Sequence, residues 1–194
     1  MLDTNSRSYS DSNSIAADLA VLITQSGKSV ALIDADLRRP VIHRVFKLLN
    51  RVGLCDVLLN HRSLAAVMHS IMDNKLSVLT SGKTLNGSIN LLSLPKMTDI
   101  LLVLNQKFDK VIVNGPPLFY TEASTLAAQV DGVILMINPG YAKSDTSRII
   151  VERLQRTGTT IIGIVMRNQP KHQSNQSAFI NRLLSYDKRK RLSP

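Results

Sequence analysis

Two carboxylates one residue apart, Asp34 and Asp36, directly follow the apolar run Val30-Ala31-Leu32-Ile33. Side chains on a strand alternate, so both carboxylates can point to one face. A short run that is apolar at successive positions reads as a strand buried on both faces of a parallel sheet. The carboxyl ends of such strands are where open α/β sheets bind ligands. Two close carboxylates there suit Mg²⁺-assisted phosphoryl chemistry or the activation of a hydroxyl. The same pair can equally cap the turn and helix that follow. Spacing alone leaves both open.

Nearby groups add little chemistry. Arg38, Arg39 and Arg44 offer either a basic surface for an acidic partner or neighbouring subunit, or a solvated face. His43 has no nucleophile near it in sequence and reads as structural; Cys55 reads as a small buried residue. Two segments spell part of a phosphate loop. Gly27-Lys28-Ser29 follows a helix and precedes a strand, the reverse of the required order. Gly82-Lys83-Thr84 does follow a strand, but Ser77 stands where an earlier Gly is needed and Leu85-Asn86-Gly87 is a turn. Both read as ordinary loops.

The elements that must position the acidic pair alternate along the chain. Residues 14–26 carry Ile15, Leu19, Leu22 and Ile23 at helical spacing, and Gly27 ends that helix. Apolar runs at Val30–Ile33, Leu76–Leu79, Val111–Val113, Val133–Ile137 and Ile161–Met166 predict strands. Stretches 62–72, 89–107, 121–129 and 142–157 have helical period. This alternation predicts a doubly wound α/β domain with a mostly parallel sheet over residues 1–170, then a polar and basic tail over 171–194.

Composition narrows the class. The 194 residues, 44% hydrophobic and 20% charged, suit a soluble globular domain. One cysteine excludes an intramolecular disulfide and fits a reducing compartment. There is no basic-then-apolar leader, and no apolar run approaches the ~20 residues of a membrane helix. The expected place is the cytoplasm. The net charge of +10 calls for an anionic partner. With only 4% aromatics the basic clusters lack the stacking side chains that single strands require, which argues against nucleic acid. In the tail, Phe179, Ile180, Leu183 and Leu184 share a helical face ahead of Lys188–Arg191. Residues 177–191 therefore suit either an interfacial membrane helix or a last helix packed on the domain.

An apolar run followed by Asp-x-Asp-x-Arg, here Ile33-Asp34-Ala35-Asp36-Leu37-Arg38, resembles the Walker A′ signature of bacterial tyrosine kinases of the capsular and exopolysaccharide type. The likeness continues through Arg39-Pro40, His43, Gly53-Leu54-Cys55-Asp56-Val57-Leu58, Ser81-Gly82, Leu91-Leu92-Ser93, Met97, Phe108-Asp109, Pro116-Pro117, Asp131-Gly132-Val133 and Gly163-Ile164-Val165. It covers roughly residues 10–170, and its wider relatives are the ParA/MinD-type P-loop ATPases. It implies a P-loop NTPase-like fold, Asp34 and Asp36 as the catalytic pair, and Mg-ATP as the family's cofactor.

The resemblance also exposes departures. Ala16-Ala17-Asp18-Leu19-Ala20 matches the family's first helix, which places Asp11, Ser12, Asn13 and Ser14 on the nucleotide loop. Residues 1–14 hold neither Gly nor Lys, although the loop's backbone must curl around phosphate and a Lys must neutralise it. The first strand is truncated to Met1–Thr4. The Walker B Asp is replaced by Asn114, which removes a charge that would orient the Mg²⁺ water shell. Arg167 and Asn168 fall where the family places an adenine-side Asn. The tail offers Tyr186 alone where the family has a tyrosine cluster.

Together these features predict a regulatory pseudo-kinase in polysaccharide synthesis or export that uses no cofactor. Its partner would be a membrane chain-length (co-polymerase) protein, with a homo-oligomer as a further expectation and a peripheral position at the inner membrane face. A partner-completed tyrosine kinase and a ParA/MinD-like positioning protein are the alternatives.

Overall fold

The computed structural model of the chain describes residues 12–83, 91–118, 120–137, 152, 154 and 158–166. It divides into two compact units, Met1–Val130 and Asp131–Pro194.

The first unit is built on a four-stranded sheet of β1 (Val30–Asp34), β2 (Met68–Ile71), β3 (Leu76–Leu79) and β4 (Lys110–Asn114), in the order β2-β3-β1-β4. β1 runs parallel to both β3 and β4, and β2 runs antiparallel to β3. Its helices are α1 (Ser12–Gln25), α2 (Ile42–Val45), α3 (Leu54–Leu58), α4 (Leu64–Val67), α5 (Pro95–Lys107) and α6 (Thr121–Ala127), with a 3-10 turn at Leu91–Ser93.

Alternation along the strands fills two cores, one on each sheet face. Ala31, Ile33, Leu79, Val111 and Val113 pack with Leu54, Met97, Ile100, Leu104 and Leu126 of the helices on one side. Val30, Leu32, Leu76, Val78 and Ile112 pack with Ala17, Ala20 and Ile42 on the other. Every residue of β1 and β3 is buried. β4 lies at the end of the strand order, and Val111, Ile112 and Val113 are only half-buried. Helices on both faces of a mostly parallel sheet make this the doubly wound arrangement expected from the sequence.

The second unit contains β5 (Val133–Ile137) and β6 (Ile161–Met166), which pair in parallel with a register shift at Val133/Ile134. The expected boundary at 170/171 and the tail lie outside the described residues, as does most of stretch 142–157.

One expectation is corrected. Stretch 62–72 is not one helix: α4 ends at Val67 and the chain passes directly into β2. Met72, Asp73 and Asn74 all adopt positive φ, 51, 52 and 64, and reverse the chain into β3. Tertiary pairing with β3 overrides the local helical period. Two short helices, α2 and α3, carry no sequence expectation because each spans little more than one turn.

Candidate functional site

β1 and β4 end side by side, with Asp34 in register opposite Asn114. Asp34 is wholly buried, and its carboxylate oxygens are taken up by protein donors. Asn114 Nδ2 donates to Oδ1 at 2.9 Å. The N–H groups of Val41 and Ile42 donate to Oδ2, both at 3.0 Å. Asp34 thereby closes the loop of residues 35–40 and serves the first N–H groups of α2, which have no partner within the helix. Burial pushes its carboxyl above the ordinary range; hydrogen bonds from Asn114 and from the Ile42, Val41 and Asp36 backbone pull the other way without cancelling it.

Asp36 differs. It is 1% exposed, its Oδ1 accepts the Arg39 N–H at 3.0 Å, and its Oδ2 has no hydrogen-bond partner. Burial raises this carboxyl too; the Arg39 N–H opposes the rise and the neighbouring Asp34 charge adds to it. Of the two carboxylates the sequence singles out, Asp34 is saturated and Asp36 keeps an open oxygen.

The loop after them is anchored to α6. Arg38 Nε donates to Glu122 Oε1 at 2.6 Å, and its guanidinium lies 4.3 Å from the Tyr120 ring centroid. The Arg38 side chain is 51% exposed, so the ion pair contributes only about 0–1 kcal/mol; its effect is to fix the loop's direction. His43 is held below its usual pKa by burial and then by Arg44, which keeps it neutral. Cys55 is buried, and burial followed by the Asp56 charge pushes its thiol up to about 11. At neutral pH it is no nucleophile.

A second loop pair borders the same carboxyl edge. Asn50 Nδ2 donates to Ser81 Oγ at 3.0 Å and to the Gly82 carbonyl at 3.1 Å, and the Gly82 N–H donates to Asn50 Oδ1 at 2.9 Å. Gly53 sits so close that an added Cβ would lie 2.2 Å from the Thr80 carbonyl and 2.4 Å from the Gly82 nitrogen. The Gly82 N–H is thus committed to Asn50. Gly27-Lys28-Ser29 lies between α1 and β1, where Ser29 clasps Asp109: the Ser29 N–H and hydroxyl both donate to Asp109 Oδ2 at 2.7 Å.

Of the other sequence candidates, Asp11, Arg167 and Asn168 lie outside the described residues. Ser12, Asn13 and Ser14 form the first turn of α1. The structure brings together Asp34, Asp36 and Asn114. Sequence reasoning missed Asn50 and Glu122, for no local pattern ties them to partners 31 and 84 residues away. Among the described residues, no three His, Cys, Asp or Glu side chains group as a metal centre would need. No described helix is long and apolar enough to cross a membrane.

The helix layers, the parallel strands and the acidic edge define a doubly wound α/β domain of the P-loop type. A cobyrinic acid a,c-diamide synthase from Mycobacterium smegmatis, solved with ADP and magnesium, matches it with a TM-score of 0.70 over 89% of this chain and 75% of that one. At 16% identity that likeness concerns the fold alone. Within this class the chain resembles the bacterial tyrosine kinases. It is 35% identical over 155 residues to tyrosine-protein kinase YwqD of Bacillus subtilis, covering 79% of this chain and 65% of that protein. The kinase domain of the Escherichia coli tyrosine kinase ETK matches with a TM-score of 0.75 and 28% identity, over 83% of this chain and 64% of that one. No protein-family model matches the chain. The chain spans just under two thirds of the Bacillus protein's length.

Proposed function

We propose that the chain is a regulatory pseudo-kinase of the capsule and exopolysaccharide tyrosine-kinase family. One observation carries the reading: Asn114 Nδ2 donates to Asp34 Oδ1, so an amide occupies the place where the family pattern calls for a carboxylate. With the Val41 and Ile42 N–H groups on Oδ2, Asp34 is satisfied without any cation. Residues 1–14 hold no Gly and no Lys to cradle phosphate. Phosphoryl transfer depends on positioning and charge neutralisation, and one open oxygen on Asp36 supplies little of either. The residues present do not fit Mg-ATP.

In this reading the domain acts by binding. Its partner is the cytoplasmic part of a membrane chain-length protein of polysaccharide export, and copies of the chain associate with one another. Arg38, held between Glu122 and Tyr120, and exposed Arg39 supply a cationic face for it. Calorimetric titration of the protein with Mg-ATP and Mg-ADP is the test. No heat of binding, together with a cooperative thermal transition, is expected; micromolar binding would sink the proposal.

A second reading rests on the Asp36 Oδ2 atom, which is buried without a partner. That oxygen is suited to accept a hydroxyl proton, as a kinase completed by a partner's phosphate loop would require. Nucleotide binding seen only when the membrane partner's cytoplasmic segment is added would favour it.

A further inference from the structure

Between Asp36 and Asp56 the chain carries Arg38, Arg39, Arg44, Lys47 and Arg51 and no acidic residue. Arg44, Lys47 and Arg51 are exposed. So are two aliphatic side chains among them, Val45 at 43% and Leu49 at 72%. The neighbours of these residues turn inward: Ile42 is buried, Phe46 and Leu48 pack on the core beneath, and Asn50 bonds to Ser81 and Gly82. A tight helix end fixes the outward set. The Lys47 N–H donates to the Arg44 carbonyl at 3.2 Å and the Leu48 N–H to the His43 carbonyl at 2.8 Å. Lys47 adopts φ 54 at the position of this motif that ordinarily takes glycine. A lysine there tolerates backbone strain and puts a cation at the tip.

We propose that the 44–51 turn is a contact surface for an anionic lipid bilayer. Val45 and Leu49 enter the boundary between headgroups and acyl chains, while Arg44, Lys47 and Arg51 meet lipid phosphates. Aliphatic tips flanked by cations form an interfacial surface, and a bilayer demands no shape complementarity. The cores of protein interfaces are enriched in aromatics, Met and Arg and depleted in Lys; here no aromatic and no Met faces outward, and a lysine stands at the tip. The proposal holds whether or not the domain is catalytically silent.

The test uses the full chain with Leu49→Cys carrying an environment-sensitive fluorophore. Cys55 is buried with its thiol pushed up to about 11, so the label goes to position 49. Vesicles of phosphatidylglycerol with phosphatidylcholine should shift the emission to the blue. Pure phosphatidylcholine should not, and roughly 1 M salt, where the screening length is ~3 Å, should reverse the shift. Adding Arg44→Glu and Lys47→Glu should weaken apparent vesicle affinity at least roughly tenfold. The same label at Ala65→Cys, exposed on α4, should stay unshifted. No shift at position 49, or an equal shift at position 65, would overturn the proposal. An equal shift with soluble polyglutamate would also overturn it and assign the surface to an acidic protein.

Discussion

Asn114 Nδ2 donates to Asp34 Oδ1 at 2.9 Å across the ends of two adjacent parallel strands. A carboxylate in place of Asn114 would face a second carboxylate at that separation. Like charges so close and so buried cannot both ionise without a cation or a shared proton between them. The amide removes that requirement.

Asn114→Asp should therefore destabilise the domain in metal-free buffer near neutral pH, by about 1–3 kcal/mol. Urea unfolding measures the loss. Millimolar Mg²⁺ should return part of it in the variant and leave the parent protein unmoved. A variant as stable as the parent without Mg²⁺ would contradict the role given to the amide.

Asp36→Asn should stabilise the domain at neutral pH. The Asp36 carboxyl is raised in the folded state, first by burial, so the folded protein holds its proton to higher pH than the unfolded chain does. Stability then falls as pH rises from the unfolded value, 3.8, to the raised folded one, and stays lower above it. Asp34, also raised, adds to the same slope. The variant's thermal midpoint should exceed the parent's at pH 7, and the gap should close as pH falls below the carboxylate range. A gap that widens in acid would refute the sign.

What the sequence disclosed follows from where each interaction is encoded. β1 and β3 were legible because strands buried on both faces are near-continuous apolar runs, broken in β3 only by Ser77, and Asp34 and Asp36 were legible because they end such a run. β2 was not: Met68-His69-Ser70-Ile71 has half-polar alternation and only its pairing with β3 makes it a strand. The left-handed Asp73 and Asn74 were the available signal, since these residue types accept that conformation. The different fates of Asp34 and Asp36 were not legible either. They depend on Val41 and Ile42 folding back onto one carboxylate and on Asn114, 80 residues on.

Gly53→Ala should cost about 3 kcal/mol or more, because the added Cβ would meet backbone atoms that cannot yield, the Thr80 carbonyl at 2.2 Å and the Gly82 nitrogen at 2.4 Å. Gly27→Ala provides the contrast. Its φ is 96 with no atom within 4 Å of an added Cβ, so only conformational strain of about 1–2 kcal/mol applies. Denaturant midpoints of the two variants should separate accordingly, and equal losses would mean the Gly53 loop can shift.

Lys47→Gly should raise stability by about 0.5–1 kcal/mol. The other residues at positive φ include Asn60, Asp73 and Asn74, types whose short polar side chains suit the left-handed region, whereas lysine gains no such relief. Glycine removes the strain and gives back part of the gain through the greater freedom of the unfolded chain. Lys47→Ala keeps the strained conformation, so it should leave the urea midpoint within about 0.5 kcal/mol of the parent. The two variants lose the same charge and should bind anionic vesicles equally weakly. A glycine variant that is more stable yet binds less would show that the strain at Lys47 and the cation it presents are separable. A glycine variant no more stable than the alanine one would mean the turn relaxes at no cost, removing strain as a reason for the lysine's place.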